Sequence, residues 1–220
     1  MLIILAALTM NPSLSQPRSH TLRTSRSVLL RMALLLPLLL GSLLSGCSDN
    51  KPAFKGVDIT GANYGRSLQL PDSSGKLRSL DEFKGKFVLL FFGFTQCPDV
   101  CPTALTRAQE IKQQLGKDGE RLQVIFVSVD PERDTPELLG NYLAAFDSSF
   151  IGLRGDAEQT RQAAAEFKVF YEKVPTGSSY TINHTAMSYL FDAQGRLRLA
   201  LRHTQTAEEH VADLRLLMRE

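Results

Sequence analysis

The sequence predicts an α/β protein with a central mixed sheet flanked by helices and a β-hairpin added on its N-terminal side, on three observations. Residues 87–92 (FVLLFF) and 122–129 (LQVIFVSV) are apolar runs of strand length, as strands buried on both faces require. Between them, Leu105, Ala108, Ile111 and Leu115 recur at helical spacing, so strand, helix and strand form a right-handed parallel crossover. Further on, TINHTAMSYLFDAQGRLRLALR divides into two alternating segments around Asp192-Ala193-Gln194-Gly195, which is a hairpin pattern.

The elements follow in order. Residues 65–86 hold two short alternating segments around Asp72-Ser73-Ser74-Gly75, the N-terminal hairpin. After the second long strand, Asp134 or Thr135 can cap a helix that begins with Pro136 and runs to about Phe146. A short strand in FIGLRG and a helix from Ala157 to Phe167 come next. KVFYEKVPTGSSY reads as loop with edge structure, and an amphipathic helix from Thr206 to Met218 closes the chain. This order is that of a thioredoxin-like sandwich, in which the strand ends and the helix N-terminus of the first crossover make the active edge.

The chain has 220 residues, enough for one sizeable domain plus a leader. Arg18, Arg23, Arg26 and Arg31 precede residue 47 while all 23 acidic residues follow it, so the remainder carries 21 basic against 23 acidic side chains. That balance, with no basic cluster, argues against nucleic acid as a partner.

Residues 1–46 read as a leader. The apolar run from Met32 to Leu44 is interrupted by Pro37 and Gly41, is short for a membrane span, and ends in Leu44-Ser45-Gly46-Cys47, which resembles a bacterial lipobox. Cys47 would then be acylated and tether the protein, residues 47–62 would be a lipid-anchored linker, and 63–220 the folded domain. An uncleaved single-helix anchor is the competing reading, and Met10 and Met32 are alternative starts. Ser48 leaves the choice of membrane open, with the outer face of the inner membrane favoured over the outer membrane.

The remaining two cysteines, Cys97 and Cys101, flank a turn after the first buried strand, and Pro98 and Pro102 place a helix start within or just after them. Unpaired amides and the helix dipole there favour thiolate over thiol. Cysteines four apart on one helical face have Cβ atoms about 5–6 Å apart, close enough for a disulfide or for one soft metal ion. Buried cysteines can also be plain small hydrophobes, but a pair between prolines at a strand-to-helix turn has chemistry to do.

Of four histidines, His20 is in the leader, and His203 and His210 read as solvated surface residues. His184 stands at the entrance to a strand, where thioredoxin-like folds commonly carry a cis-proline facing the cysteine turn; Pro175 lies nine residues too early for that role. Alternation puts His184, Ala186 and Ser188 on one face and Thr185, Met187, Tyr189 and Phe191 on the other, so Met187 is expected in the core.

FTQCPDVCPT, DPERDT and NHTAMSYLFDAQG resemble the motifs of the Sco (SenC) family, assembly proteins for the CuA copper centre of cytochrome c oxidase, over residues 57–219. The resemblance implies that Cys97 and Cys101 are a copper-binding, redox-active pair able to form a disulfide, that His184 is the third ligand, and that Asp130 and Asp134 belong to the acidic loop. Asn183 departs from the family, where many relatives have Asp before the histidine; the change leaves two alternatives, a weakened interaction on the imidazole or one kept by the Asn side-chain carbonyl, which can still accept a hydrogen bond. The donor set agrees: two thiolates select Cu(I) or zinc, an added imidazole accommodates Cu(II), and no fourth ligand for a closed zinc site is evident. Asp99 is expected at the helix start and Asp130 in shaping the loop.

The implied function is a membrane-tethered copper chaperone on the periplasmic side of a bacterial membrane. Its partner would be the CuA domain of cytochrome c oxidase subunit II, with other copper or thiol-redox proteins as further partners. The alternative is a thiol-disulfide oxidoreductase, Cys97 attacking and Cys101 resolving, that reduces the acceptor's cysteines. A peroxiredoxin-like peroxidase fits less well, because the pair lacks a separated resolving cysteine.

Overall fold

The structure is a computed structural model and describes residues 53–220. The expected leader and Cys47 lie outside the described residues, and no helix among those described is long and apolar enough to cross a membrane. The strands are β1 (Val57–Asp58), β2 (Gln69–Pro71), β3 (Leu77–Ser79), β4 (Phe87–Gly93), β5 (Leu122–Ser128), β6 (Ile151–Leu153), β7 (Tyr171–Thr176), β8 (Ser179–His184), β9 (Met187–Phe191) and β10 (Leu197–Arg202). The helices are α1 (Val100–Leu115), α2 (Pro136–Ala144), α3 (Ala157–Glu166) and α4 (Ala207–Leu217).

Six strands form the central sheet in the order β1-β10-β9-β4-β5-β6. β4, β5 and β6 run parallel, while β9 and β10 are antiparallel, giving the mixed sheet the sequence predicts. β4 lies at the centre, and all seven of its residues are buried. Its pleat sends Phe87, Leu89 and Phe91 to one face, under Leu105, Ala108 and Ile111 of α1, Leu139 and Leu143 of α2, and Val211 and Leu214 of α4. Val88, Leu90 and Phe92 go to the other, under Ala163 and Ala164 of α3 and Leu70 of the β2–β3 hairpin. Burying one such Leu or Phe side chain contributes roughly 1.5–3 kcal/mol, so the two-faced strand anchors both halves of the core.

Three expectations are corrected. Sheet pairing begins inside the stretch read as linker, where Val57 and Asp58 pair with Ala200 and Leu199. The segment read as loop with edge structure is a full hairpin: β7 and β8 pair from Tyr171↔His184 to Thr176↔Ser179, with Gly177 at φ 61° making the tight turn. Their mixed, mostly half-exposed residues hid the strand period. His210 is 3% exposed, not solvated. Ala207, His210, Val211, Leu214 and Leu217 share the buried face of α4, while Glu208 beside His210 points outward.

Candidate metal centre

β4 ends at Gly93, and this glycine decides how the cysteines approach the sheet. A Cβ there would stand 2.7 Å from the Cys101 sulfur and 2.9 Å from the Phe126 ring, so only glycine lets the sulfur pack against the strand end. Phe94 follows, buried, and its carbonyl accepts from the Cys97 amide at 3.2 Å. Asp99 is the N-cap residue of α1, as expected for a helix-start residue, and Pro102 sits in the first turn, where a missing N–H costs nothing. The Asp99 side chain makes no capping bond to the helix amides. Instead, the Cys101 amide, one of the helix's unpaired donors, points at the Cys97 sulfur at 3.4 Å. The two sulfurs therefore meet across the helix start, and not along one helical face.

This arrangement separates the two thiols. The Cys101 thiol donates to the Cys97 sulfur, and that contact, aided by the nearby amides against the opposing effect of burial, holds Cys97 well below the usual thiol range. The Cys97 thiolate and burial push Cys101 the other way, so the pair shares one proton, held on Cys101. Cys97 is partly exposed and Cys101 only 1% exposed. Both are free thiols here, so the implied disulfide is not formed in this structure.

His184 is the last residue of β8 and reaches the cysteines from the opposite side. Its Nε2 lies 3.8 Å from Cys101 Sγ, and its ring meets Phe94 edge-on at 5.9 Å between centroids. Nδ1 is 3.1 Å from the Thr185 carbonyl, which can only accept, so that bond puts the proton on Nδ1 and leaves the Nε2 lone pair facing the sulfurs. The donor atoms of Cys97, Cys101 and His184 all lie within 4.8 Å of one another.

The surroundings revise two further expectations. Asn183 is exposed and pairs with Glu172 across the hairpin, so the Thr185 carbonyl, and not residue 183, orients the imidazole. Met187 belongs to neither core cluster; partly buried, it lines a small cavity with Cys101, His184, Ala186 and the exposed His203. Alternation failed because Thr185 and Ala186 lie between β8 and β9, in neither strand.

The acidic loop acts from behind. Asp134, fully buried, accepts from the Thr95 hydroxyl at 2.6 Å, the Thr95 amide at 3.2 Å and the Ser128 hydroxyl at 2.6 Å, joining the loop before Cys97 to the end of β5. Burial pushes its carboxyl above the ordinary range although these hydrogen bonds oppose it. Asp130, also buried, accepts from Arg133 and from the Tyr180 hydroxyl and shapes the loop, as expected. Arg133, Tyr180 and Gln96 carry structure at this site that sequence reasoning did not single out. The only signal for Arg133 was its place inside DPERDT.

A family model described as SCO1/SenC matches residues 57–219. The chain belongs to the SCO1/SenC family. An SCO2-like protein of Rickettsia felis is 36% identical over 181 residues, covering 78% of this chain and 88% of the relative. Among solved structures, ScoI of Bradyrhizobium japonicum with copper bound is 43% identical with a TM-score of 0.63, covering 69% of this chain and 97% of that one. Apo Sco1 of Thermus thermophilus is 40% identical with a TM-score of 0.66, covering 76% and 99%. The thioredoxin-like sandwich expected from the sequence is thus the fold of the family.

Proposed function

We propose that this chain is a copper carrier that takes part in assembling the CuA centre of cytochrome c oxidase, with subunit II as acceptor. The observation that carries this reading is the convergence of two sulfurs and one imidazole nitrogen within 4.8 Å. Two soft thiolates suit Cu(I), and the added nitrogen makes the same site acceptable to Cu(II). Copper is cargo here: three protein donors leave room for an acceptor's ligand to enter before the carrier's ligands let go. The solved ScoI of Bradyrhizobium japonicum, 43% identical, holds copper, which supports the assignment of the metal.

Cys97, Cys101 and His184 are the proposed ligands, and Cys97–Cys101 the disulfide of the oxidised, metal-free form. Copper and the disulfide compete for the same sulfurs. Acylated Cys47 would tether the domain on the periplasmic side of the membrane, with residues 1–46 removed as leader and a linker shorter than 47–62, since β1 at Val57–Asp58 already belongs to the working domain.

A second reading draws on the unequal thiols. The partly exposed Cys97 thiolate can attack a partner disulfide, forming a mixed disulfide and releasing one partner thiolate. Cys101 passes its proton to the released partner thiolate and attacks Cys97 Sγ, expelling the second partner sulfur as thiolate; the partner leaves reduced and this chain is left oxidised, two electrons having passed to the partner.

His184→Ala separates the two, since exchange needs only the thiols. The expected result is loss of most copper retention and of CuA assembly in cells, with thiol-exchange rates of the purified variant preserved. If assembly survives while copper binding is gone, the carrier reading fails and the reductase stands.

A further inference from the structure

The hairpin that carries His184 is not part of the central sheet. β7 and β8 form a two-stranded sheet of their own, and β9 joins the main sheet only from Met187 onward. His184 is therefore placed by what fastens the hairpin to the body: Ile182 is buried in the core, and Arg133 supplies polar contacts that reach both the hairpin and the cysteine loop. Its Nη1 donates to the Tyr180 carbonyl of β8 at 2.7 Å and to Gln96 Oε1, the residue before Cys97, at 3.1 Å. Its Nε pairs with buried Asp130, and the guanidinium lies 3.7 Å from the Tyr180 ring centroid. The Tyr180 hydroxyl closes the circuit by donating to Asp130 at 2.8 Å. A separate ion pair from the hairpin, Lys173 to Glu132 at 2.6 Å, is exposed on both sides and weakly holding.

We propose that Arg133 is a positioning residue that binds the cysteine loop and the His184 hairpin into one unit, and that through this it sets the relative affinity of the site for Cu(II) over Cu(I). The inference rests on the copper reading above. Two thiolates alone satisfy Cu(I), whereas Cu(II) depends on the nitrogen donor. A loosened hairpin withdraws the imidazole and leaves the sulfurs, so the cost falls on Cu(II).

The test uses the full-length protein carrying Arg133→Lys or Tyr180→Phe. Lysine keeps a charge against Asp130 but lacks the planar fork that spans Gln96, Tyr180 and Asp130 at once. Phenylalanine keeps the stacked ring and loses only the hydroxyl, which covers the case in which the lysine variant folds poorly. In the reduced, metal-free protein, amides of residues 179–184 should exchange hydrogen roughly tenfold or more faster, with β4 and β5 unchanged. Cu(II) affinity, read from the thiolate-to-copper charge-transfer band, should fall on the order of tenfold, and Cu(I) affinity, read against a chelator, by less than about threefold. Unchanged exchange in the hairpin overturns the proposal, as do equal losses for both ions or faster exchange throughout the sheet. Should the unmodified protein bind neither ion, the copper reading falls by itself, while the exchange experiment still decides whether Arg133 positions the hairpin.

Discussion

At the scale of single residues, one buried group carries information that its sequence neighbours obscure. His210 has both ring nitrogens buried without a hydrogen-bond partner, and burial, reinforced by Arg107, pushes its pKa down to about 4. A histidine depressed below its unfolded value of 6.5 stays neutral in the fold while the unfolded chain takes up a proton, so stability falls as pH drops from about 6.5 toward 4. His210→Leu should remove that slope: unfolding free energies from denaturant titrations at about pH 7 and 5 should differ by roughly 2 kcal/mol more in the unmodified protein than in the variant. Equal pH dependence in both proteins would contradict the burial argument. The cysteines show the converse case, in which residue types and spacing were legible but their inequality was not. It arises because the two sulfurs meet at the helix start, the contact lowering Cys97 and raising Cys101, while Cys101 lies buried beneath the sheet end.

At the scale of elements, the junction of β4 and α1 depends on the absence of a side chain at Gly93. Gly93→Ala would drive a methyl group into the Cys101 sulfur and the Phe126 ring, an overpacking that costs about 1–3 kcal/mol. The expected outcome is a lower unfolding midpoint together with faster alkylation of Cys101, as the helix start is displaced from the strand. Unaltered midpoint and labelling would show that the junction yields without strain. The sequence marked Gly93 only as a break in an apolar run, because a close approach between residues 93 and 101 is a property of packing. For β7 and β8 the pattern itself was weak: both strands lie off the central sheet, largely open to solvent, so neither shows clean alternation.

At the scale of the whole domain, the fold is closed by contacts between the two ends of the described residues. Asp213 on α4, fully buried, accepts from the amides of Lys55 at 2.7 Å and Gly56 at 2.8 Å, directly before β1. Arg198 of β10 joins Thr60, Asp192 and Glu220 in a second cluster nearby in sequence to the same elements. Asp213→Asn replaces one of the two acceptors by a donor facing an amide, and should cost on the order of 1–3 kcal/mol. Hydrogen exchange should accelerate at residues 55–58 before it does in β4 and β5. If residues 55–58 remain as protected as before, the carboxylate is not what holds the first strand to the sheet.

The amino-acid sequence by itself determined the α/β class, the buried strands β4 and β5 and the helix start at the cysteines, and it singled out Cys97, Cys101 and His184 as candidates that the structure brings together. Each of these is written in neighbouring residues, as apolar runs, helical spacing or prolines in a first turn, or in a motif. Only the tertiary structure decided which thiol keeps the proton, that Thr185 and not Asn183 orients the imidazole, that His210 is buried, and that Arg133 spans the two halves of the site. Those outcomes depend on contacts between residues far apart in the chain, 83 positions for Cys101 and His184, 37 for Arg133 and Gln96 and 47 for Arg133 and Tyr180. Local periodicity constrains which face a side chain takes, but distances across such separations are set by how the layers pack.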